Sequence, residues 1–455
     1  MKQLDQIIQK FNTEDTYIVI SDYPESGKKG EKNYGIAWHT KEILEPMATR
    51  YKKRFVVLAE KGYDNKPRTY ARGKILVLRV FDQEHPTIFP RILRWLGVFN
   101  KVNNIHIHSE FSARGGIKNF LFIVPFIYLI RSFGKTITYY THNIVLDVNS
   151  VADHMNLEKG SLMVKGLNFA MKMYYKTLNL VVDQFVVMDG IIKKRLAHFV
   201  PRRKIVNLPF WIKPATYPLT QSQAKKKLGF TKDDFVIVSF GFISYYKGSD
   251  WVLRMVQRLK KNPAQKRLKL VLAGGEAYSL KDKDYYKKYY QNIAQKAEQD
   301  TAITLTGYVK EKDIGLYFTA ADLVVLPYRG LIGASGTLSM AMTYGKPFLM
   351  SKRMSELLKS ADFIEALEEA GLTRDDVTFA HTTDSFTEAI TRAERPNVKK
   401  SLTKLSKVIA QKRSFPVLVE KCYNEIHNDQ PQNTAQKANT ASHKALNPVH
   451  IAGTS

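Results

Sequence analysis

The chain has 455 residues, 44% of them hydrophobic, a single cysteine and a formal net charge of +28. At about 150 residues per domain that length makes two or three domains, and Cys422 alone excludes an internal disulfide and fits a reducing compartment. The longest apolar run, FLFIVPFIYLI at 120–130, falls short of the roughly 20 residues that cross a bilayer, so a buried helix is expected there.

The amino terminus, MKQLDQIIQK, has no apolar stretch behind its charges, so no signal peptide is read and a cytoplasmic location is expected. DTYIVISDYP at 15–24 reads as a buried strand ending in turn residues. The helix AWHTKEILEPMATRY follows, with Ile43, Leu44 and Met47 at helical spacing. RFVVLAE, KILVLRV, NIHIHS, KTITYYTH and QFVVMDG are further strands. Between the last two, SLMVKGLNFAMKMYYK at 161–176 is a helix whose Met and aromatic stripe is expected to be core, with contact to anionic lipid as the alternative. Prolines and polar residues cluster in NLPFWIKPATYPLTQSQ at 207–223, which marks a domain join.

The second half repeats the plan. DDFVIVSFGF at 233–242 is a strand, SDWVLRMVQRLKK a helix, and LKLVLAGG, AITLTGY, DLVVLPY and KPFLMSK are strands. Short β-rich runs alternating with helices mean parallel sheets covered on both faces. Two doubly wound α/β domains are therefore expected, 1–211 and 212–405. Residues 406–427 are expected to be a helix packing back on the first domain, and 428–455, poor in large apolar residues, a disordered tail. Ligands of such sheets sit beyond the carboxyl ends of the strands.

Five stretches of the second half carry candidate chemistry. FGFISYYKGSD places Gly241 at a strand end and Lys247 before a helix, where the lysine reaches a diphosphate or is a solvated loop residue. VLAGGEAY ends a strand on Gly274 and Gly275, which allows close backbone approach. LTGYV carries Gly307 and Tyr308. PYRG puts Arg329 beyond a strand end, either a phosphate clamp or a surface arginine. GASGTLSMAMTYGKP opens a helix on Ser335, Gly336 and Thr337. Unpaired N–H groups and the helix dipole make such a start an anion site; the plainer reading is a Ser335 cap on a core helix.

The order FGFISYYKG, LVLAGG, LTGYV, YFTAADLVVLPYR, ASGTLSMAMTYGKP resembles the retaining nucleotide-sugar glycosyltransferases of family 4, in the branch with GFIxxYKG and PYRxxxxSGxL. The resemblance covers most of residues 233–350 and, more loosely, the first half. It implies the GT-B fold, two Rossmann-like domains facing each other across a cleft. It implies Lys247, Arg329 and the backbone at Ser335–Thr337 as holders of the donor diphosphate, with Gly35, Gly241, Gly274, Gly275, Gly307 and Tyr308 lining the donor site. Glu276 is offered as a ribose partner, and His142, in YTHN, matches a histidine that faces the reaction centre or is a structural strand-end residue.

The chain departs from the family at the two positions where many members carry glutamates. Here they are Ile332 and Met340. The reading is therefore a hexosyltransferase taking a sugar from UDP or GDP to a glycan or lipid-linked acceptor, with a non-catalytic partner subunit as the alternative. No group of His, Cys or carboxylates stands at ligand spacing, so no cofactor and no metal are expected. The basic charge, with clusters such as RYKKR at 50–54, suits an anionic membrane surface. No nucleic-acid-binding module is present in the sequence, so nucleic acid is not an expected partner.

Overall fold

The computed structural model describes residues 2–25, 35–82, 85, 87–109, 116–142, 144–152, 157–277, 280–330 and 335–426. The expected glycine loop after the first strand, Ile332 and the expected tail lie outside the described residues.

In chain order the first half comprises α1 (Lys2–Phe11), β1 (Thr16–Ile20), α2 (Gly35–Arg50), β2 (Arg54–Glu60), β3 (Arg68–Tyr70), β4 (Ile75–Phe81), α3 (Ile88–Val98), β5 (Asn104–Ser109), α4 (Gly116–Ser132), β6 (Thr136–Thr141), α5 (Leu162–Val181), β7 (Gln184–Val187), α6 (Gly190–Leu196) and β8 (Ile205–Asn207). The second comprises α7 (Gln221–Lys227), β9 (Phe235–Phe240), α8 (Ser249–Leu259), β10 (Leu268–Ala273), α9 (Asp284–Glu298), β11 (Ile303–Leu305), α10 (Glu311–Ala320), β12 (Leu323–Leu326), α11 (Gly336–Thr343), β13 (Phe348–Ser351), α12 (Ala361–Ala370), β14 (Thr378–Phe379), α13 (Thr383–Glu394), α14 (Pro396–Lys412) and α15 (Phe415–Ile426).

Two sheets result. The first runs β3-β4-β2-β1-β5-β6-β7-β8 and the second β11-β10-β9-β12-β13-β14. All pairings are parallel except β3 with β4. The reason lies in strand composition: Thr16 to Ile20 are buried throughout, Ile18 and Ile20 packing on one face and Tyr17 and Val19 on the other. A strand apolar on both faces needs helices on both, which parallel crossovers supply. Strand order reverses at β1, between β2 and β5, and at β9, between β10 and β12. Each reversal opens a crevice at the carboxyl ends of its sheet.

The second domain contains a buried charge cluster. Asp322 accepts from Lys225 at 2.6 Å and Lys399 at 2.7 Å, and from the Val236 amide at 2.9 Å. Burial alone would raise its pKa; the two lysines and the amide outweigh burial and hold the carboxyl below its ordinary value.

The domains touch beside the linker. Ile212 bridges to Ser414, and Arg195 of α6 reaches Glu356 at 3.2 Å. The carboxyl-terminal helices differ from expectation. α14 crosses residue 405 and packs on α11, α12 and α13 of the second domain. The segment lying on the first domain is α15, which starts at Phe415 after a break at Arg413 and Ser414. It packs on α2, stacks Tyr423 on Tyr51 at 3.9 Å and buries Leu418 and Cys422 in the first domain's core.

Two helices expected to be core are half exposed. α4 buries Ile123, Phe126, Ile127 and Ile130 but exposes Phe122, Leu129 and Phe133 beside it. α5 buries Val164, Met171, Tyr174 and Leu178 and turns Leu162, Phe169, Met173 and Leu180 outward. Both helices carry large apolar residues on two sides, so helical spacing alone does not say which face is inside.

Candidate active site

The carboxyl end of the second sheet is drawn together by glycine. A Cβ on Gly274, after β10, would lie 2.0 Å from the Gly241 carbonyl oxygen after β9. One on Gly248, which caps α8 at φ +71°, would lie 2.1 Å from the Pro327 carbonyl oxygen after β12. Only hydrogen fits at either place, so three strand ends approach more closely than side chains allow.

Lys247 points into this gathering. Its Nζ lies 2.2 Å from where a Gly241 Cβ would stand, and Thr337 Oγ1 lies 3.5 Å from the same point. The ammonium is 5.7 Å from the Tyr328 ring centre, within reach of a cation–π attraction. Tyr328 donates to Thr337 Oγ1 at 3.0 Å, and Thr337 donates to the Phe240 carbonyl at 3.0 Å. The start of α11 is thereby pinned to the end of β9. Ser335 caps the helix, its Oγ accepting from the Leu338 amide at 3.3 Å, while Leu338, Ala341 and Met342 are buried. Among the described residues, a Cβ added to Gly336 would meet nothing within 4 Å. Among the described residues the tip is capped by Ser335 and nothing fills the space a Gly336 side chain would take. What it offers a ligand is backbone, since both hydroxyls are engaged.

Arg329 is engaged with Asp250: its guanidinium holds both carboxylate oxygens, at 2.7 and 2.8 Å. It also covers the Tyr245 ring at 3.8 Å and donates to the Tyr245 carbonyl, and its amide donates to the Tyr246 carbonyl at 2.8 Å. Burial would raise the pKa of Asp250, but the Arg329 hydrogen bonds and charge, with the Tyr289 hydroxyl and Arg254, together outweigh it and hold the carboxyl below its ordinary value. A bidentate pair braces the loop that carries Lys247. No signal short of the fold marks Asp250 as this partner.

The remaining predicted residues are spread around the crevice. Gly275 lies against Tyr308, whose amide nitrogen would be 2.8 Å from an added Cβ. Gly307 has φ +67° and Tyr308 is exposed. Glu276 is exposed and bridges through its backbone to Ile243. Met340 packs partly buried on the second core and presents no carboxylate. Gly35 is the first residue of α2.

His142 belongs to a different group, at the carboxyl end of the first sheet. It meets His39 of α2 and His108 of β5, with ring centres 5.2 and 5.6 Å away. All three are buried, and one ligating atom from each lies within 4.8 Å of the others. His108 stacks on Tyr140 at 4.0 Å, and His39 packs edge-on to Phe210 of the linker at 4.8 Å. His39 Nδ1 finds no hydrogen-bond partner among the described residues. Burial, then the neighbouring His142, depresses the His39 pKa well below the ordinary histidine value, and burial lowers His106 on the same strand as His108 to about 3. With its charged form disfavoured by burial, the His39 ring suits hydroxyl groups rather than anions. Among the described residues this trio is also the set able to hold a metal ion. Sequence spacing hides it, because the three rings come from a helix and two strands.

Residues 220–360 match the family described as Glycosyl transferases group 1. The match starts at the cap of α7 and takes in β9 to β13 with the whole Lys247 crevice. No curated protein matches the chain. Among solved structures, the chain is similar to sucrose-phosphate synthase from Thermosynechococcus elongatus, with a TM-score of 0.67 at 13% identity, covering 90% of this chain and 98% of that one. It is similar to Anabaena HepE in complex with UDP-glucose (TM-score 0.62, 13% identity, 90% and 99% covered). It is also similar to a UDP-forming α,α-trehalose-phosphate synthase from Burkholderia vietnamiensis (0.59, 11%, 91% and 97%). The fold is the expected one: α/β, GT-B, with two Rossmann-like domains.

Proposed function

We propose that the chain is a retaining hexosyltransferase that moves a sugar from a UDP- or GDP-linked donor to a glycan or lipid-linked acceptor. Its place is in the cytoplasm and at the inner face of the membrane, in polysaccharide biosynthesis. The glycosyltransferase group 1 match over 220–360 supports the reaction class. The observation that carries the site is the meeting of Lys247 Nζ, Gly241 and the start of α11 at the strand ends. Neighbours that hold UDP or UDP-glucose favour UDP as the base to try first.

In this reading the donor diphosphate lies between Lys247 and the amides at Gly336 and Thr337. When the bond from the sugar's anomeric carbon to the β-phosphate oxygen breaks, negative charge grows on that oxygen. A fixed ammonium and fixed N–H dipoles stabilise it there without having to reorient. The acceptor hydroxyl attacks from the face the phosphate leaves, and its proton passes to the departing phosphate oxygen. Configuration is retained and no cofactor is required. Arg329 acts as a positioning residue through Asp250 and the loop. Glycines 35, 274, 275 and 307, with Tyr308, give the nucleotide room, and Glu276 reaches the ribose. His142, buried beside His39, orients the acceptor hydroxyl.

Met340 in place of a carboxylate favours a second reading, a partner subunit that keeps the fold without turnover. A thermal-shift screen against UDP, GDP and their sugars, followed by product analysis, tests both. Stabilisation by a nucleotide, with transfer that Lys247→Ala removes, is expected of the enzyme. No nucleotide binding, with no hydrolysis or transfer, favours the partner subunit and overturns the enzyme reading.

A further inference from the structure

We propose that the paired outer faces of α4 and α5 form a docking surface for an anionic lipid bilayer. On α5, Leu162, Phe169, Met173 and Leu180 are spaced by seven, four and seven residues, which puts them on one line along the helix. They are exposed by 85, 67, 44 and 72%. On the neighbouring α4, Phe122, Leu129 and Phe133 at its end repeat the spacing of seven and four, with Phe122 and Phe133 exposed by 61 and 60%. The opposite faces of both helices are anchored in the core by Val164, Met171 and Leu178 and by Ile123, Ile127 and Ile130. The outward residues are therefore held in place and do not form part of the fold's own packing. A contiguous exposed apolar face of this kind marks an interaction site.

The charge beside the face selects its occupant. Lys165, Lys172 and Lys176 are exposed along one flank of the α5 line, and neither helix carries an aspartate or glutamate. An apolar stripe with lysines alongside lies in the plane of a bilayer surface, its side chains in the acyl boundary and its ammonium groups at the phosphates. The stripe continues into a 310 Å³ hollow lined by Leu146, Phe169, Met171 and Phe199, with both Lys172 and Asp147 in its wall. A second copy of the chain fits less well: it would bring the same lysines to the contact and a formal charge of +28 to the encounter. No helix among the described residues is long and apolar enough to cross a membrane, so the contact is with the surface of the bilayer.

The test uses the full chain and does not depend on transferase activity. Co-sedimentation is measured with phosphatidylglycerol-rich vesicles and with phosphatidylcholine vesicles, at low and high salt. Binding to the first and not the second is expected, weakened by salt. Each of Lys165→Glu, Lys172→Glu and Lys176→Glu should weaken it at least about fivefold, the value of one surface cation near an anionic leaflet. The triple variant Leu162→Ser, Phe169→Ser, Leu180→Ser should abolish it while circular dichroism and nucleotide stabilisation stay as in the wild type. Failure of the wild type to bind anionic vesicles at low salt overturns the proposal. So does equal binding by the lysine variants, or a wild-type dimer in solution that the serine variant converts to monomer.

Discussion

The carboxyl end of the second sheet gathers a lysine, bare backbone and a helix start, while that of the first gathers three buried imidazoles. Both crevices form where strand order reverses, and both are built on parallel strands buried on two faces. The difference lies in what burial does to the group at the end. Lys247 stands in a partly open crevice beside an aromatic face, where a positive charge is tolerated. His39 is sealed against His142 and Phe210, where it is not. One wall suits an anion and the other suits hydroxyls, the division of labour that sugar transfer requires.

The contrast can be broken most directly at Lys247. Lys247→Ala should lower the transfer rate about 100- to 1,000-fold, the usual effect of removing one preorganised charge-stabilising group, and abolish nucleotide stabilisation. His142→Ala should leave nucleotide stabilisation unchanged and raise the acceptor KM. Isothermal titration with UDP separates the two. If both variants lose UDP equally, the two walls do not act separately.

Next in size is the stability of the second domain. Asp322→Ala strands Lys225 in the interior, and loss of one partner of a buried pair typically costs about 3–5 kcal/mol. Urea unfolding of the variant against wild type reads this. A change of a few tenths would mean that water already serves these charges.

The first domain should respond instead to acid. The pKa values of His39 and His106 are depressed in the fold, so unfolding takes up protons as pH falls through the unfolded histidine value of about 6.5. Their contribution is fully present above that pH and is lost below it, by about 1.4 kcal/mol per pH unit for each residue. Hydrogen exchange at pH 7.5 and 5.5 should show β5 and β6 losing protection before β9 and β12. The reverse order would assign the acid sensitivity to the second domain.

A smaller effect is expected at Arg329. Arg329→Lys keeps one contact to Asp250 and loses the bidentate grip, so kcat should fall about tenfold with the UDP affinity nearly retained. A selective collapse of UDP affinity would restore the arginine to direct diphosphate contact. Chelation should change nothing at the nucleotide site, which contains no metal-ligating set among the described residues.

Much of this contrast was legible in the sequence, though unevenly. The strands carrying Ile18, Val238 and Val324 were plain, because a run of buried β-branched residues bounded by turn residues has few other solutions. β3, β8 and β14 were missed; with three, three and two residues they show no periodicity. Lys247, Gly241 and Thr337 could be brought together because each sits one step beyond a strand or at a helix start, positions that topology fixes. Arg329 could not be resolved, since its direction depends on Asp250 in a different element. His39 was invisible for a related reason: it lies in a helix pattern that does not say which turn faces the strand ends. For α5 the sequence offered both a core and a lipid-facing reading and favoured core, because apolar residues stand on both sides of that helix.

The lone thiol of the chain sits on α15, the segment lying across the first domain. Cys422 is fully buried, and burial pushes its pKa up to about 12, so alkylating reagents meet neither an accessible sulfur nor a thiolate. Labelling can proceed only when α15 lifts from α2. With no other cysteine to compete, the rate of iodoacetamide uptake is a direct clock for how often that helix lets go.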